Sequence, residues 1–266
     1  MAKVVVIQFP GVNCEYETLR ALESVGIEGE IRRWNAAREA VGNAAAVVIP
    51  GGFSYQDRIR GGVVAAKDPV LDAVVDAADR GVPVLGICNG AQILIESGVV
   101  PAFEEGTVEM ALAPNRMTGR HGYYCTWVHV KKGTASCLFT DFVDGDEPMP
   151  IPLAHAEGRF VTSSADVRSR LEAGQGVAVV YTTPDGRAAD SFPDNPNGSM
   201  FAIAGLTNAA GNVLALMPHP ERAAWYHQVP RHVGSAWGRD RDGLTAQRLF
   251  APGPGAAFFG ALKKAL

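Results

Sequence analysis

Two stretches of this chain pair a reactive side chain with the neighbours its chemistry needs. Leu85-Gly86-Ile87-Cys88-Asn89-Gly90-Ala91-Gln92 centres on Gly-x-Cys-x-Gly, the thiol form of the Gly-x-Ser-x-Gly nucleophile elbow. At such an elbow a strand turns sharply into a helix, which holds the nucleophile in a strained conformation and projects its side chain outward. Residues two before and two after must be small, because the chain folds back onto them. Gly86 and Gly90 meet that demand, and the positive end of the following helix would favour a thiolate at Cys88. A buried structural cysteine is the competing reading, so the elbow needs a base.

A base stands near the other end. Val213-Leu214-Ala215-Leu216-Met217 reads as a buried strand running into Pro218-His219-Pro220-Glu221. The proline after His219 favours extended geometry, which puts His219 and Glu221 on the same side of the chain. One imidazole nitrogen could then face the Cys88 sulfur while the carboxylate orients the other, the base-plus-orienter arrangement of a nucleophilic triad. Taken alone, Pro-His-Pro-Glu would be a rigid surface turn. A third stretch, Val47-Val48-Ile49-Pro50-Gly51-Gly52, ends a strand in glycines whose N–H groups can approach a developing oxyanion; Gly52 and the amide of Asn89 would make two donors. Structurally Pro-Gly-Gly is also an ordinary loop.

The elements that must position these groups alternate in the first half. β-branched runs fall at 4–9, 30–34, 46–49 and 82–87, with helical periods at 15–25, 35–41, 69–80 and 89–97. Asp68 reads as the N-cap and Pro69 as the first residue of the third helix, with Gly81 just past its end. Nearly continuous apolar strands are buried on both faces, so the expected fold is α/β: a mostly parallel sheet with helices on both faces. From about residue 111 the rhythm becomes strand and loop (123–130, 151–156, 176–181, 200–206, 213–217), an antiparallel extension of the same sheet within one domain spanning 1–266. The charged stretch 238–243 reads as a surface loop or short helix, and 256–266 as a closing helix. In open α/β sheets, sites gather beyond the carboxyl ends of the strands, where all three stretches belong.

Composition narrows the function. The 266 residues are 47% hydrophobic and 20% charged, enough to fill a core. Lys and Arg total 24 against 28 Asp and Glu, without the basic excess that nucleic-acid binding needs. No apolar run approaches the roughly 20 residues of a membrane span, and the start is too short an apolar stretch for a signal peptide. Four scattered cysteines make no disulfide framework, so a reducing cytoplasm is expected.

With these motifs in this order, the chain resembles the class I (triad) glutamine amidotransferases, of flavodoxin-like fold. Further strings narrow the resemblance to the glutaminase subunits of a purine-biosynthetic synthase. They are Asn13-Cys14-Glu15, Gly52-Phe53-Ser54-Tyr55, Ala154-His155-Ala156-Glu157-Gly158-Arg159-Phe160, Asn195-Pro196-Asn197-Gly198-Ser199 and Ala204-Gly205-Leu206-Thr207-Asn208. The resemblance implies that Cys88 attacks the side-chain amide of L-glutamine, expels ammonia and leaves a glutamyl thioester that water hydrolyses. It implies His219 as proton relay, Glu221 as its orienter, backbone donors at Gly52 and Asn89, and substrate contacts at Gly51 and Gln92. The ammonia would go to a large ATP-dependent synthetase subunit, with ATP and magnesium there and no cofactor or metal on this chain, and a small third subunit would bridge the two. Two positions depart from the pattern: Gln56 and Ala156 stand where glycine is common.

Other constellations are weaker. His155 and Glu157 repeat the His-x-Glu spacing and could line the glutamine pocket or face the partner, but read more simply as polar residues on the surface. His121, Cys125 and His129 would lie on one face of a strand, yet neighbours four apart are roughly 13 Å from each other, too far to share a metal. Phe9-Pro10-Gly11-Val12-Asn13 is no phosphate-binding loop. Cys14 lacks flanking glycines and reads as structural. Phe53, Trp225, Tyr226 and Trp237 are candidates for a partner face or lid, with core packing as the alternative.

Overall fold

The structure, a computed structural model, describes residues 3–141, 147–233, 236–239 and 245–266. The first half alternates β1 (Val4–Gln8), α1 (Glu15–Ser24), β2 (Gly29–Arg33), α2 (Arg38–Gly42), β3 (Ala46–Ile49), α3 (Val70–Asp79), β4 (Val84–Ile87) and α4 (Asn89–Glu96). There follow β5 (Ala111–Pro114), β6 (Tyr124–Lys132), β7 (Met149–His155), β8 (Glu157–Val161), α5 (Ala165–Glu172), β9 (Val177–Thr182), β10 (Ile203–Thr207) and β11 (Val213–Leu216). Short α6 (Ala236–Arg239) and α7 (Ala246–Leu249) precede α8 (Ala256–Ala265).

Nine strands form one sheet in the order β2-β1-β3-β4-β11-β10-β9-β6-β7. From β2 to β11 every pairing is parallel, and from β11 onward every pairing is antiparallel. This is the α/β fold expected, with its parallel core and antiparallel extension. Strands β3, β4 and β11 are buried at every residue, as apolar strands covered on both faces must be. Strand β2 departs from that pattern: it is the edge, and Arg32 and Arg33 are exposed. Helix α1 packs on α8, and α2 on α3.

Several elements differ from the sequence pattern. The expected helix over 35–41 is a 3-10 turn, Trp34–Ala36, followed by the short α2. Helix α3 begins one residue later than its start signals suggest, although the Asp68 carboxylate still accepts from the Val70 N–H at 3.0 Å. The expected strand over 200–206 opens as a 3-10 turn, because Phe201 and Ala202 adopt positive φ. Strands β5 and β8 pair into a separate two-stranded ribbon, and α5, capped by the Ser164 hydroxyl on the Val167 N–H, lacks a long apolar stripe to announce it. In the charged stretch 238–243, Gly238 and Arg239 end α6 and residues 240–243 lie outside the described residues, as do Met1 and Ala2 at the start.

Positioning of the site follows from the topology. Strands β1, β3, β4 and β11 point the same way, so the loops after Gln8, Ile49, Ile87 and Leu216 share one rim. The antiparallel wing curls back until its last strand, β7, reaches the same rim, where the Pro152 carbonyl accepts from the His219 N–H at 2.8 Å.

Candidate active site

Cys88 has φ +51 and ψ −103, an elbow conformation outside the regions ordinary side chains prefer. Its N–H is tied to the Leu216 carbonyl at 2.8 Å, and helix α4 starts at the next residue. The flanking glycines are there for the reason sequence suggested. A Cβ on Gly86 would meet the Gly90 carbonyl oxygen at 2.6 Å, and one on Gly90 would meet the Ile49 carbonyl oxygen at 1.9 Å. Cys88 is 6% exposed, and its sulfur lies 3.7 Å from the Ala154 carbonyl oxygen.

His219 Nδ1 is 2.6 Å from Glu221 Oε1, and both side chains are buried. Nε2 makes no hydrogen bond of ordinary geometry. Burial works against a charge on this imidazole, but the Glu221 carboxylate and then the Cys88 sulfur outweigh it, and its pKa is held well above the usual histidine value. The three groups that sequence reasoning linked across the chain therefore meet at one rim.

The loop after β3, which carries Gly51 and Gly52, is sewn to the β1–α1 loop. Val12 and Gly52 form an isolated antiparallel bridge, whose bonds run from the Asn13 N–H to the Gly51 carbonyl (3.4 Å) and from the Phe53 N–H to the Gly11 carbonyl (2.9 Å). The Cys14 N–H also reaches the Gly51 carbonyl, at 3.2 Å. With that carbonyl turned toward Asn13 and Cys14, a trans peptide directs the Gly52 N–H the opposite way. The Asn89 N–H belongs to the first turn of α4, where backbone donors have no intrahelical partner.

A cavity of about 240 Å³ opens beside the sulfur, small enough to suit an amino acid. It is lined by Gly52, Cys88, Gln92, Asp57, His155 and Glu157, with Phe53 and Tyr123 also on its wall. Gln92 is a wall residue, its amide fixed by bonds to the Glu157 carbonyl and from Asn89 Nδ2 at 2.7 and 2.8 Å. Gly51 is absent from the lining; it packs against the triad instead, where an added Cβ would stand 2.7 Å from His219 Cε1.

His155 and Glu157, which read more simply as surface residues, line this cavity because the sheet curls; only their repeat of the His-x-Glu spacing hinted at it. His155 is fully buried with Nδ1 3.0 Å from Asn115 Oδ1, and burial, then the charge on His219, pushes its pKa down to about 3. Asp57 is pushed up to about 6 by burial and by Glu157, against the hydrogen bond from Asn89 Nδ2. Phe53 and Tyr123 form an exposed aromatic pair at 6.4 Å between centroids. Trp225, Tyr226 and Trp237 are half-buried and packed among themselves and their neighbours. His121 precedes β6, so only Cys125 and His129 of that trio share the strand.

Cys14 is also not remote. Its sulfur, an imidazole nitrogen of His219 and a Glu221 oxygen all lie within 4.8 Å of one another. Such a trio could in principle hold a metal. The Nδ1–Oε1 hydrogen bond already occupies it, however, and the Arg222 guanidinium donates to the sulfur at 3.1 Å, placing positive charge beside the spot a cation would need.

A family model for the CobB/CobQ-like glutamine amidotransferase domain matches residues 1–253. The PurQ subunit of phosphoribosylformylglycinamidine synthase from Methanothrix thermoacetophila is 42% identical, over 98% of this chain and 97% of that protein. The chain belongs to the PurQ family of glutamine amidotransferases. Its PurQ relative from Pyrococcus horikoshii is 40% identical over 84% of this chain and 90% of its own length. Among solved structures, PurLQS from Thermotoga maritima contains a chain with TM-score 0.72 and 28% identity, covering 99% of this chain and 98% of that one. Gln56, one of the two departures from the expected pattern, has φ +61, a conformation that favours glycine. Ala156 lines the cavity, and its carbonyl accepts from the Asn115 N–H at 2.8 Å.

Proposed function

We propose that this chain is the glutaminase subunit of a cytoplasmic phosphoribosylformylglycinamidine synthase, with Cys88 as nucleophile, His219 as proton relay and Glu221 as the charge that holds it. The observation that carries this reading is the meeting of all three at the rim beside a cavity of amino-acid size. With the proton already on His219, the Cys88 sulfur attacks the δ-amide carbon of glutamine without a further base. The developing oxyanion takes hydrogen bonds from the N–H groups of Gly52 and Asn89. Imidazolium gives its proton to the leaving nitrogen, the C–N bond breaks, ammonia departs and a glutamyl thioester remains. Water then attacks the thioester carbon and passes a proton to His219, the C–S bond breaks, and glutamate leaves.

Two carboxylates in the cavity wall suit the α-ammonium of the substrate. Asp57 and Glu157 face the same space, and their mutual repulsion would be relieved by the α-ammonium of glutamine. Ammonia goes to a separate synthetase subunit, which holds the ATP and magnesium, and a small bridging subunit joins the two. These partners follow from the likeness to PurQ proteins and to the PurLQS structure. Among the described residues no helix is long and apolar enough to cross a membrane.

The test is Cys88→Ala in the assembled complex. Glutamine-dependent synthesis should vanish while ammonia-dependent synthesis persists. Loss of both in a folded complex would refute the division of labour.

A further inference from the structure

Cys14 takes no part in the mechanism above, yet it touches both halves of the site. Its thiol points at Asn13 Oδ1 (3.4 Å) and its sulfur accepts from Arg222 Nη2 (3.1 Å). Arg222 is itself held by Glu17 at 3.4 Å and places Nε 3.9 Å from Glu221 Oε1. On its backbone side, Cys14 donates to the Gly51 carbonyl, the peptide that aims the Gly52 N–H. Gly51 fills the gap between: an added Cβ would be 2.7 Å from His219 Cε1 and 3.3 Å from the Cys14 sulfur. Cys14 is 2% exposed, so solvent does not explain the contacts.

We propose that Cys14 is a positioning residue: its sulfur, pinned by Arg222, fixes the His219–Glu221 pair from behind, while its N–H fixes the oxyanion peptide, so that base and oxyanion donor are held as one unit. This rests on the glutaminase reading of the site. The groups facing His219 are Glu221 and Arg222 from its own turn, Cys88 from the elbow, Cys14 from the β1–α1 loop, His155 from β7 and Tyr123 from the loop before β6. Among these Glu221 and the two sulfurs favour the imidazolium, and burial opposes it. Removing the Cys14 sulfur therefore lowers the pH at which His219 loses its proton.

The experiment compares Cys14→Ala and Cys14→Ser with the unaltered full chain by two readouts. One is glutaminase kinetics with the synthetase partner present. The other is the pH dependence of Cys88 alkylation by chloroacetamide, followed on the Cys88 peptide by mass spectrometry, which needs no turnover. Cys14→Ala should cut kcat about tenfold and leave KM within about twofold, since geometry and proton balance change but the substrate pocket does not. The alkaline limb of the glutaminase profile and the high-pH inflection of the alkylation profile should both move to lower pH. Serine keeps an acceptor for Arg222 on a shorter bond, so it should fall between alanine and wild type. If alanine does not fold, the serine variant decides, and a serine profile superimposable on wild type overturns the proposal. Unshifted profiles in a folded alanine variant overturn it as well. A wild-type chain that releases no glutamate overturns the glutaminase reading instead, while the alkylation comparison still judges Cys14.

Discussion

A Cβ placed on Gly90 would stand 1.9 Å from the carbonyl oxygen of Ile49, so the helix after Cys88 presses directly on the strand that leads into Gly51 and Gly52. No rotamer relieves a Cβ clash with backbone; α4 or β3 has to move. Gly90→Ala should cost about 2 kcal/mol or more, in the range of overpacked cores. Gly260, in α8, has nothing within 4 Å of its added Cβ. There Gly260→Ala should stabilise by about 0.5–1 kcal/mol through helix propensity. Urea unfolding of the two variants checks the contrast, and a Gly90→Ala protein as stable as wild type would contradict the elbow packing.

His155 makes stability acid-sensitive. Its folded pKa is pushed to about 3, below the ordinary value of 6.5, so the unfolded chain binds the proton more readily. The stabilisation of the neutral ring is complete above pH 6.5 and is lost as pH falls toward 3, with a ceiling of about 5 kcal/mol. His155→Gln, which cannot take up that proton, should flatten the dependence of urea midpoints on pH across this window. An equally steep curve in the variant would assign the acid sensitivity elsewhere.

Much of this is legible in the sequence. The elbow and the His-Pro-Glu turn are local patterns, and their side chains reach one rim because β4 and β11 are adjacent and parallel. What could not be read depends on how the sheet curls. His155, Ala156 and Glu157 come to the cavity at the far end of the antiparallel wing, where alternation along a strand says which face is inward but not what that face meets. The ribbon of β5 and β8 pairs strands of only four and five residues, too short for periodicity to show. Cys14 was hidden for another reason: its partners Gly51, His219 and Arg222 are remote in sequence, and no flanking motif marks it.

Cys88 itself is held at a cost. Cys88 adopts φ +51, ψ −103, a conformation worth about 1–3 kcal/mol of strain for a residue with a Cβ. Cys88→Gly should relieve part of it and raise the melting temperature by about 2–4 °C, while abolishing glutamine hydrolysis. Cys88→Ala loses the same activity but keeps the strain, so its melting temperature should stay near that of wild type. Calorimetry on the pair separates strain from the loss of the sulfur, and equal melting temperatures for both variants would show that the elbow stores none.

Glu221→Gln isolates the charge behind His219. The substituted amide keeps an oxygen to accept from Nδ1, where the carboxylate now sits at 2.6 Å, but removes the charge that most strongly favours the imidazolium. Burial, which already opposes protonation, then prevails, and His219 loses its proton at lower pH. The rate should fall about 10²–10⁴-fold through loss of the proton donor to the leaving nitrogen, with KM little changed. In the kcat/KM profile the alkaline limb should shift to lower pH, because this limb marks deprotonation of His219. A variant that is slow yet keeps its alkaline limb in place would mean that Glu221 acts by geometry alone. In that case the raised basicity of the imidazole would have to come from the sulfur atoms around it.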